Sequence, residues 1–231
     1  MTWQEKAIRQ IRETLEPAQA NALVDYIKAA SSLRGSESVF RRVAQAARAK
    51  DVGAILDYFA EIRFGLTFAE LQFDTAFEPL GEKGPDLSVS RNCQSACIEV
   101  KRLRPRAKGD QLVSRSGDEN ELVQYGNPEM AVKKIEDELL AKFRQVKVGI
   151  GIVAFWSDSI TFEDIEFELA IRHIQGDAEK GIHRVPDGLL FSIYASGWTS
   201  TAGQQLYCAA LKQVLEPFSI WMEELKKAGV S

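Results

Sequence analysis

The chain has 231 residues, 45% of them hydrophobic and 27% charged, with a formal net charge of -4. These values suit a globular protein with one sizeable core and argue against broad electrostatic attraction of the whole surface to nucleic acid. The most apolar run, residues 148–156, is far shorter than the ~20 residues a membrane-spanning helix needs, so no membrane partner is expected.

The opening Met1-Thr-Trp-Gln-Glu-Lys lacks the pattern of a signal peptide. Cysteines number three, an odd count. Cys93 and Cys97 have no second pair or histidine nearby to complete a zinc site, so a reduced, cytoplasmic setting is expected. The first fifty residues are rich in Ala, Gln, Arg and Leu, with breaks at Pro17, Ser31-Ser32 and Arg34-Gly35-Ser36, and read as two or three helices. Across residues 52–69 the apolar positions Val52, Ile55, Leu56, Phe59, Ile62 and Leu66 recur at helical spacing. Glu61 lies opposite the early part of that stripe and closer to its later part, so periodicity leaves open which way the carboxylate faces.

Two strands follow around a polar turn. Leu87 and Val89 on one side and Ile98 and Val100 on the other are the apolar positions, and a hairpin between them brings Asp86 alongside Glu99. Side chains alternate along a strand, so Glu99 and Lys101 share one face and Val100 takes the other. Residues 101–115 concentrate positive charge: Arg102, Arg104, Arg106 and Lys108 are candidate phosphate contacts, against the blander reading of a solvated basic loop. After loop-like segments at residues 117–121 and 125–128, a helix is expected to about Gln145, with proline and acid early. The apolar run at 148–156 suits a strand buried on both faces. A second helix over residues 161–174, with Thr161 as cap, a strand over 188–194 and a helical tail from Gly203 to Lys227, bent at Pro217, complete the reading. The expected fold is α/β, a mixed central sheet flanked by helices, with residues 1–50 as an N-terminal helical extension and 51–231 as the core.

Two further patterns look similar and carry less. Pro186-Asp187 also precedes an apolar run, but no acid-x-Lys follows at hairpin distance. Glu224-Leu225-Lys226 sits in a helical pattern that puts the acid and amine on different faces. His173 and His183 belong to no recognisable constellation, which ranks histidine acid-base chemistry low.

The segment Gly84-Pro85-Asp86-Leu87-Ser88-Val89 followed by Cys97-Ile98-Glu99-Val100-Lys101 resembles the PD-(D/E)XK nuclease superfamily, the restriction-endonuclease-like fold. Residues 61–79 are similar to that superfamily's first, acid-bearing helix leading into its first core strand. The likeness covers about residues 51–155. One departure is Gln72, where a glycine would be expected between helix and strand. The resemblance implies a Mg²⁺-dependent nuclease, with Mn²⁺ as substitute: Asp86 and Glu99 as metal ligands, the Val100 carbonyl as a further ligand, Glu61 acting through a metal-bound water or second metal, and Lys101 orienting the attacking water. Such an ion prefers oxygen ligands and keeps several waters, so one or two carboxylates suffice. The implied partner is DNA, with RNA as the alternative, acted on by a homodimer or a subunit of a larger assembly. The rival reading is a catalytically inactive module of the same fold that binds nucleic acid or a protein.

Overall fold

The computed structural model describes residues 1–78, 81, 84–104, 128–143, 151–157, 162, 164–196 and 206–228. Its elements are helices α1 (Trp3–Thr14), α2 (Pro17–Ala30), α3 (Ser36–Arg48) and α4 (Val52–Glu70), strands β1 (Asp74–Phe77), β2 (Leu87–Arg91) and β3 (Gln94–Leu103), helix α5 (Pro128–Phe143), strand β4 (Gly151–Ser157), helix α6 (Asp164–Glu179), strands β5 (Leu189–Ser196) and β6 (Leu206–Ala209), and helix α7 (Phe218–Ala228). The six strands form one mixed sheet in the order β1-β2-β3-β4-β5-β6. No helix among the described residues is long and apolar enough to cross a membrane. By packing, the chain divides into one unit of Met1–Arg102 with Val148–Ala154 and another of Leu103–Lys147 with Phe155–Ser231.

In the first unit the N-terminal helices build onto the strands. Thr2 opens α1 with a capping box: its hydroxyl accepts from the Glu5 amide at 3.1 Å, and the Glu5 carboxylate accepts from the Thr2 amide at 2.8 Å. Asp51 caps α4 by accepting from the Ala54 amide at 2.9 Å. The chain between α2 and α3 reaches β1 directly, since Arg34 bridges Ala76 in parallel and the Phe77 amide donates to the Arg34 carbonyl at 2.8 Å. Gly35 makes this approach workable. Its φ is +76°, and a Cβ there would stand 2.3 Å from the Phe77 carbonyl oxygen. On the other side Gly65 of α4 faces the Phe77 ring, where a Cβ would come within 2.8 Å. Phe77 thus seats β1 against both the α2–α3 connection and α4.

The helix-to-strand junction explains the Gln72 departure. The Gln72 amide donates to Ala69 and the Phe73 amide to Phe68, each at 3.0 Å, which closes α4 with a Schellman motif. Gln72 occupies its left-handed position at φ +64°, where glycine would be unstrained. The β2–β3 hairpin has the expected register, Leu87 opposite Ile98 and Arg91 opposite Gln94. Its two-residue turn, Asn92-Cys93, has φ +53° and +64°, the left-handed pair that matches the twist of the strands.

In the second unit α5 and α6 pack on each other, and Phe167 of α6 stacks on Tyr194 of β5 at 5.6 Å. Every residue of β4, whose first four residues belong to the first unit, is buried, as its apolar run predicts, while residues 148–150 and the expected cap Thr161 lie outside the described residues. α6 runs on past the expected Ile174 to Glu179.

The tail corrects the sequence reading. A single bent helix from Gly203 to Lys227 was expected, whereas residues 206–209 form β6 and helix begins only at Phe218. Pairing of Ala195 with Leu206 and Ser192 with Ala209 covers the outer edge of β5 with backbone partners, a tertiary gain that outweighs weak helical propensity. Pro217, without an N–H and with fixed φ, suits a helix start better than an interior.

Replacing Gln72 by Gly is expected to stabilise the protein by about 0.5–1 kcal/mol, because it relieves a left-handed residue at an exposed helix end. Urea denaturation of the two proteins measures this, and a destabilised variant would contradict the account of the junction.

Candidate functional site

The hairpin sets the first part of the site. Continuing the register one residue beyond Leu87 and Ile98 puts Asp86 opposite Glu99. Asp86 Oδ2 accepts from the Val100 amide at 2.8 Å, which ties the carboxylate to β3 between Glu99 and Lys101. Ile98 and Val100 are buried, whereas Glu99 and Lys101 are half-buried on the opposite face together with Cys97. Burial first, and then the Glu99 charge, push the Cys97 thiol above its ordinary value.

α4 supplies the second part. Every residue from Phe59 to Gly65 is buried, so the helix is covered on all sides and Glu61 is 6% exposed rather than solvated. Its carboxylate meets the guanidinium of Arg42 on α3, with Nη2 to Oε2 at 2.6 Å and Nη1 to Oε1 at 3.4 Å. The same guanidinium reaches Glu78, just past β1, with Nε 2.9 Å from Oε1. It also lies over the Tyr58 ring at 4.5 Å. The Ser38 hydroxyl donates to the second Glu78 oxygen. Finally, the Glu78 amide donates to the Asp86 carbonyl at 2.8 Å, which connects this group to the hairpin.

Glu61 and Glu78 therefore share a single arginine, and Asp86 and Glu78 both act electrostatically on Glu61. Burial first, then the Asp86 charge and more weakly that of Glu78, push the Glu61 carboxyl up to about 8 against the opposing pull of Arg42. Burial disfavours the Arg42 charge, but Glu61 and Glu78 more than offset it and raise its value. The direction for Glu61 is upward because a single guanidinium, shared with Glu78, faces desolvation and two neighbouring anions.

Of the residues singled out from sequence, Glu61, Asp86, Glu99, Val100 and Lys101 all lie in the first unit, on α4, at the start of β2 and along β3. Arg102 points elsewhere: its Nη1 is 3.7 Å from Asp57 on α4 and its side chain is only 10% exposed. Arg104 is exposed, and Arg106 and Lys108 lie outside the described residues. Glu224 and Lys226 fall on α7, as their pattern suggested. His173 Nδ1 is 2.7 Å from Glu136, and His183 is 3.7 Å from Asp177. Sequence reasoning missed Arg42, Glu78 and Ser38. Nothing in their local pattern marks them, since Arg42 is one of two adjacent arginines on an amphipathic helix and Glu78 precedes a proline in a turn.

The donors available to a metal ion are carboxylate oxygens, the type hard divalent cations prefer. Among the described residues no group of three or more His, Cys, Asp or Glu could hold a metal by itself. Asp86 and Glu99 across the hairpin are a set of two, which fits an ion that retains most of its water. Compared with family models, curated proteins and solved structures, the chain matches none.

The raised Glu61 value has a measurable consequence. The folded protein holds a proton up to about 8 that the unfolded chain releases near 4.5, so rising pH favours unfolding across that window. The parent is expected to lose stability between pH 5.5 and 8.5, on the order of 1 kcal/mol per pH unit, relative to Glu61→Gln, which cannot ionise there. Urea midpoints for both proteins at the two pH values test this; parallel pH dependence would mean that Glu61 ionises normally.

Proposed function

We propose that the first unit is a metal-dependent nuclease that hydrolyses phosphodiester bonds, in DNA above RNA, at Asp86, Glu99 and Lys101 with Glu61 behind them. The single observation that carries this reading is the 2.8 Å hydrogen bond from the Val100 amide to Asp86 Oδ2. It fixes an aspartate beside a strand whose next exposed-face residues are a carboxylate and an amine, an arrangement with little purpose in a purely structural hairpin.

A bound Mg²⁺ would supply charge neutralisation at the phosphoryl oxygens and make a bound water easier to deprotonate than bulk water. Asp86 and Glu99 bind and orient from the two strands of one rigid hairpin, which limits the motion of the ligands. Lys101, a compact and strongly hydrated charge, holds the attacking water in line and stabilises the negative charge that grows as the new P–O bond forms and the leaving oxygen departs. Glu61 lies within electrostatic reach of Asp86 and adds negative charge to the site once ionised. Arg104 is exposed, and Arg102 is engaged by Asp57.

A second reading, a nuclease-like module that binds without cutting, draws on a specific observation: Glu61 is occupied by Arg42 at 2.6 Å. Metal binding separates the two. Asp86→Asn and Glu99→Gln are each expected to lower Mn²⁺ affinity at least about tenfold while circular dichroism stays that of the parent. Parent-like Mn²⁺ titrations in both variants would sink the site.

Lys101→Met keeps the aliphatic stem and deletes the charge. It is expected to bind Mn²⁺ like the parent and to cleave plasmid and single-stranded DNA ~10²-fold more slowly, the usual cost of losing one preorganised charge. Undiminished cleavage removes Lys101 from the mechanism. If the parent cuts neither DNA nor RNA with Mg²⁺ or Mn²⁺ but retains them on a gel, the binding-module reading is correct.

A further inference from the structure

Arg42 belongs to α3, within the first fifty residues and outside the stretch that resembles a nuclease, yet its guanidinium stands in the acidic cluster. Its side chain is 18% exposed and those of Glu61 and Glu78 are 8% each, so bulk solvent screens these charges little. The contacts use different faces of the fork. Both terminal nitrogens address Glu61, Nε addresses Glu78, and the flat face rests on Tyr58. Ser38, one turn earlier on α3, holds the other Glu78 oxygen, so one helix face grips Glu78 twice. Glu78 is in turn joined to the Asp86 backbone.

Building on the metal-site reading above, we infer that Arg42 is a built-in cation that competes with the divalent ion for the acidic cluster, so that α3 sets the metal affinity of the hairpin site. Removing Arg42 takes one buried positive charge away from Glu61 and Glu78 and leaves the acidic cluster more attractive to an incoming dication. Glu78 acts in the opposite sense. It contributes negative charge and draws the guanidinium toward itself, so losing Glu78 leaves Arg42 wholly to Glu61. Arg42 and Glu78 are thus positioning residues with opposed effects on one equilibrium, which a merely structural ion pair would not produce.

The test is Mn²⁺ titration calorimetry, with no nucleic acid present, on the full chain and on Arg42→Gln, Arg42→Lys and Glu78→Gln, each checked for folding by circular dichroism. Arg42→Gln is expected to bind Mn²⁺ at least about tenfold more tightly than the parent, and Arg42→Lys, which keeps the charge, to stay within about threefold of it. Glu78→Gln is expected to bind at least about threefold more weakly. Parent-like affinity in a folded Arg42→Gln overturns the inference while leaving the metal site standing. If Arg42→Gln does not fold, Glu78→Gln decides, and unchanged or tighter binding there overturns it. Mn²⁺ binding by Arg42→Gln but not by the parent supports it in its strongest form. Absence of Mn²⁺ binding in parent and variants alike removes the metal-site reading and this inference together.

Discussion

Two buried carboxylates, Glu61 of α4 and Glu78 at the end of β1, meet on Arg42, with Asp86 near enough to act on Glu61, and the fold tolerates the pair because Arg42 stands between them. Burying one ionised carboxylate costs several kcal/mol unless it is paired, and burying like charges together costs more. The guanidinium does not fully offset burial and the neighbouring anions, and Glu61 is raised for that reason. Such a pair is weak evidence for stability, and a buried carboxylate with a perturbed value is a candidate for a functional role.

The hairpin contributes order where the cluster contributes charge. Its two-residue turn fixes the register, and the register decides that Asp86, Glu99 and Lys101 share a face. A slip by one residue would turn the acids to the apolar side and bring Leu87 and Ile98 out. The Val100 amide adds directionality, because a carboxylate held by a backbone donor cannot swing away with a side-chain rotation elsewhere. A strand pair with both a fixed register and an anchored acid is a suitable base for chemistry that needs sub-ångström placement.

Much of this hairpin was legible in the sequence because period-two alternation, a polar turn and apolar flanks are local signals. β4 was equally plain, its continuous apolar run answered by burial at every position. The orientation of Glu61 was not legible, because α4 is buried on all sides around it and periodicity has no polar face to report. Arg42 and Glu78 were invisible for a different reason: their meaning arises from a contact between segments 36 residues apart. The tail misled because 206–209 could satisfy either period, and the free edge of β5, a tertiary fact, decided it. Arg102 looked like part of a basic loop until Asp57, on a helix far upstream, claimed it.

Phe77 carries a consequence that reaches beyond its own burial. Its backbone lies against Gly35 and its ring against Gly65, and neither position has room for even a methyl group. Those two glycines belong to the segments that lead into α3 and run through α4, the helices that deliver Arg42 and Glu61. The far end of the Phe77 ring therefore acts as the spacer that gauges how far α4, with Glu61, stands from β1, while the Phe77 backbone sets how close the segment leading to α3 can come. An uncharged aromatic side chain thus sets the standoff of α4, and a change in that ring would shift Glu61 without altering any acid or base in the cluster.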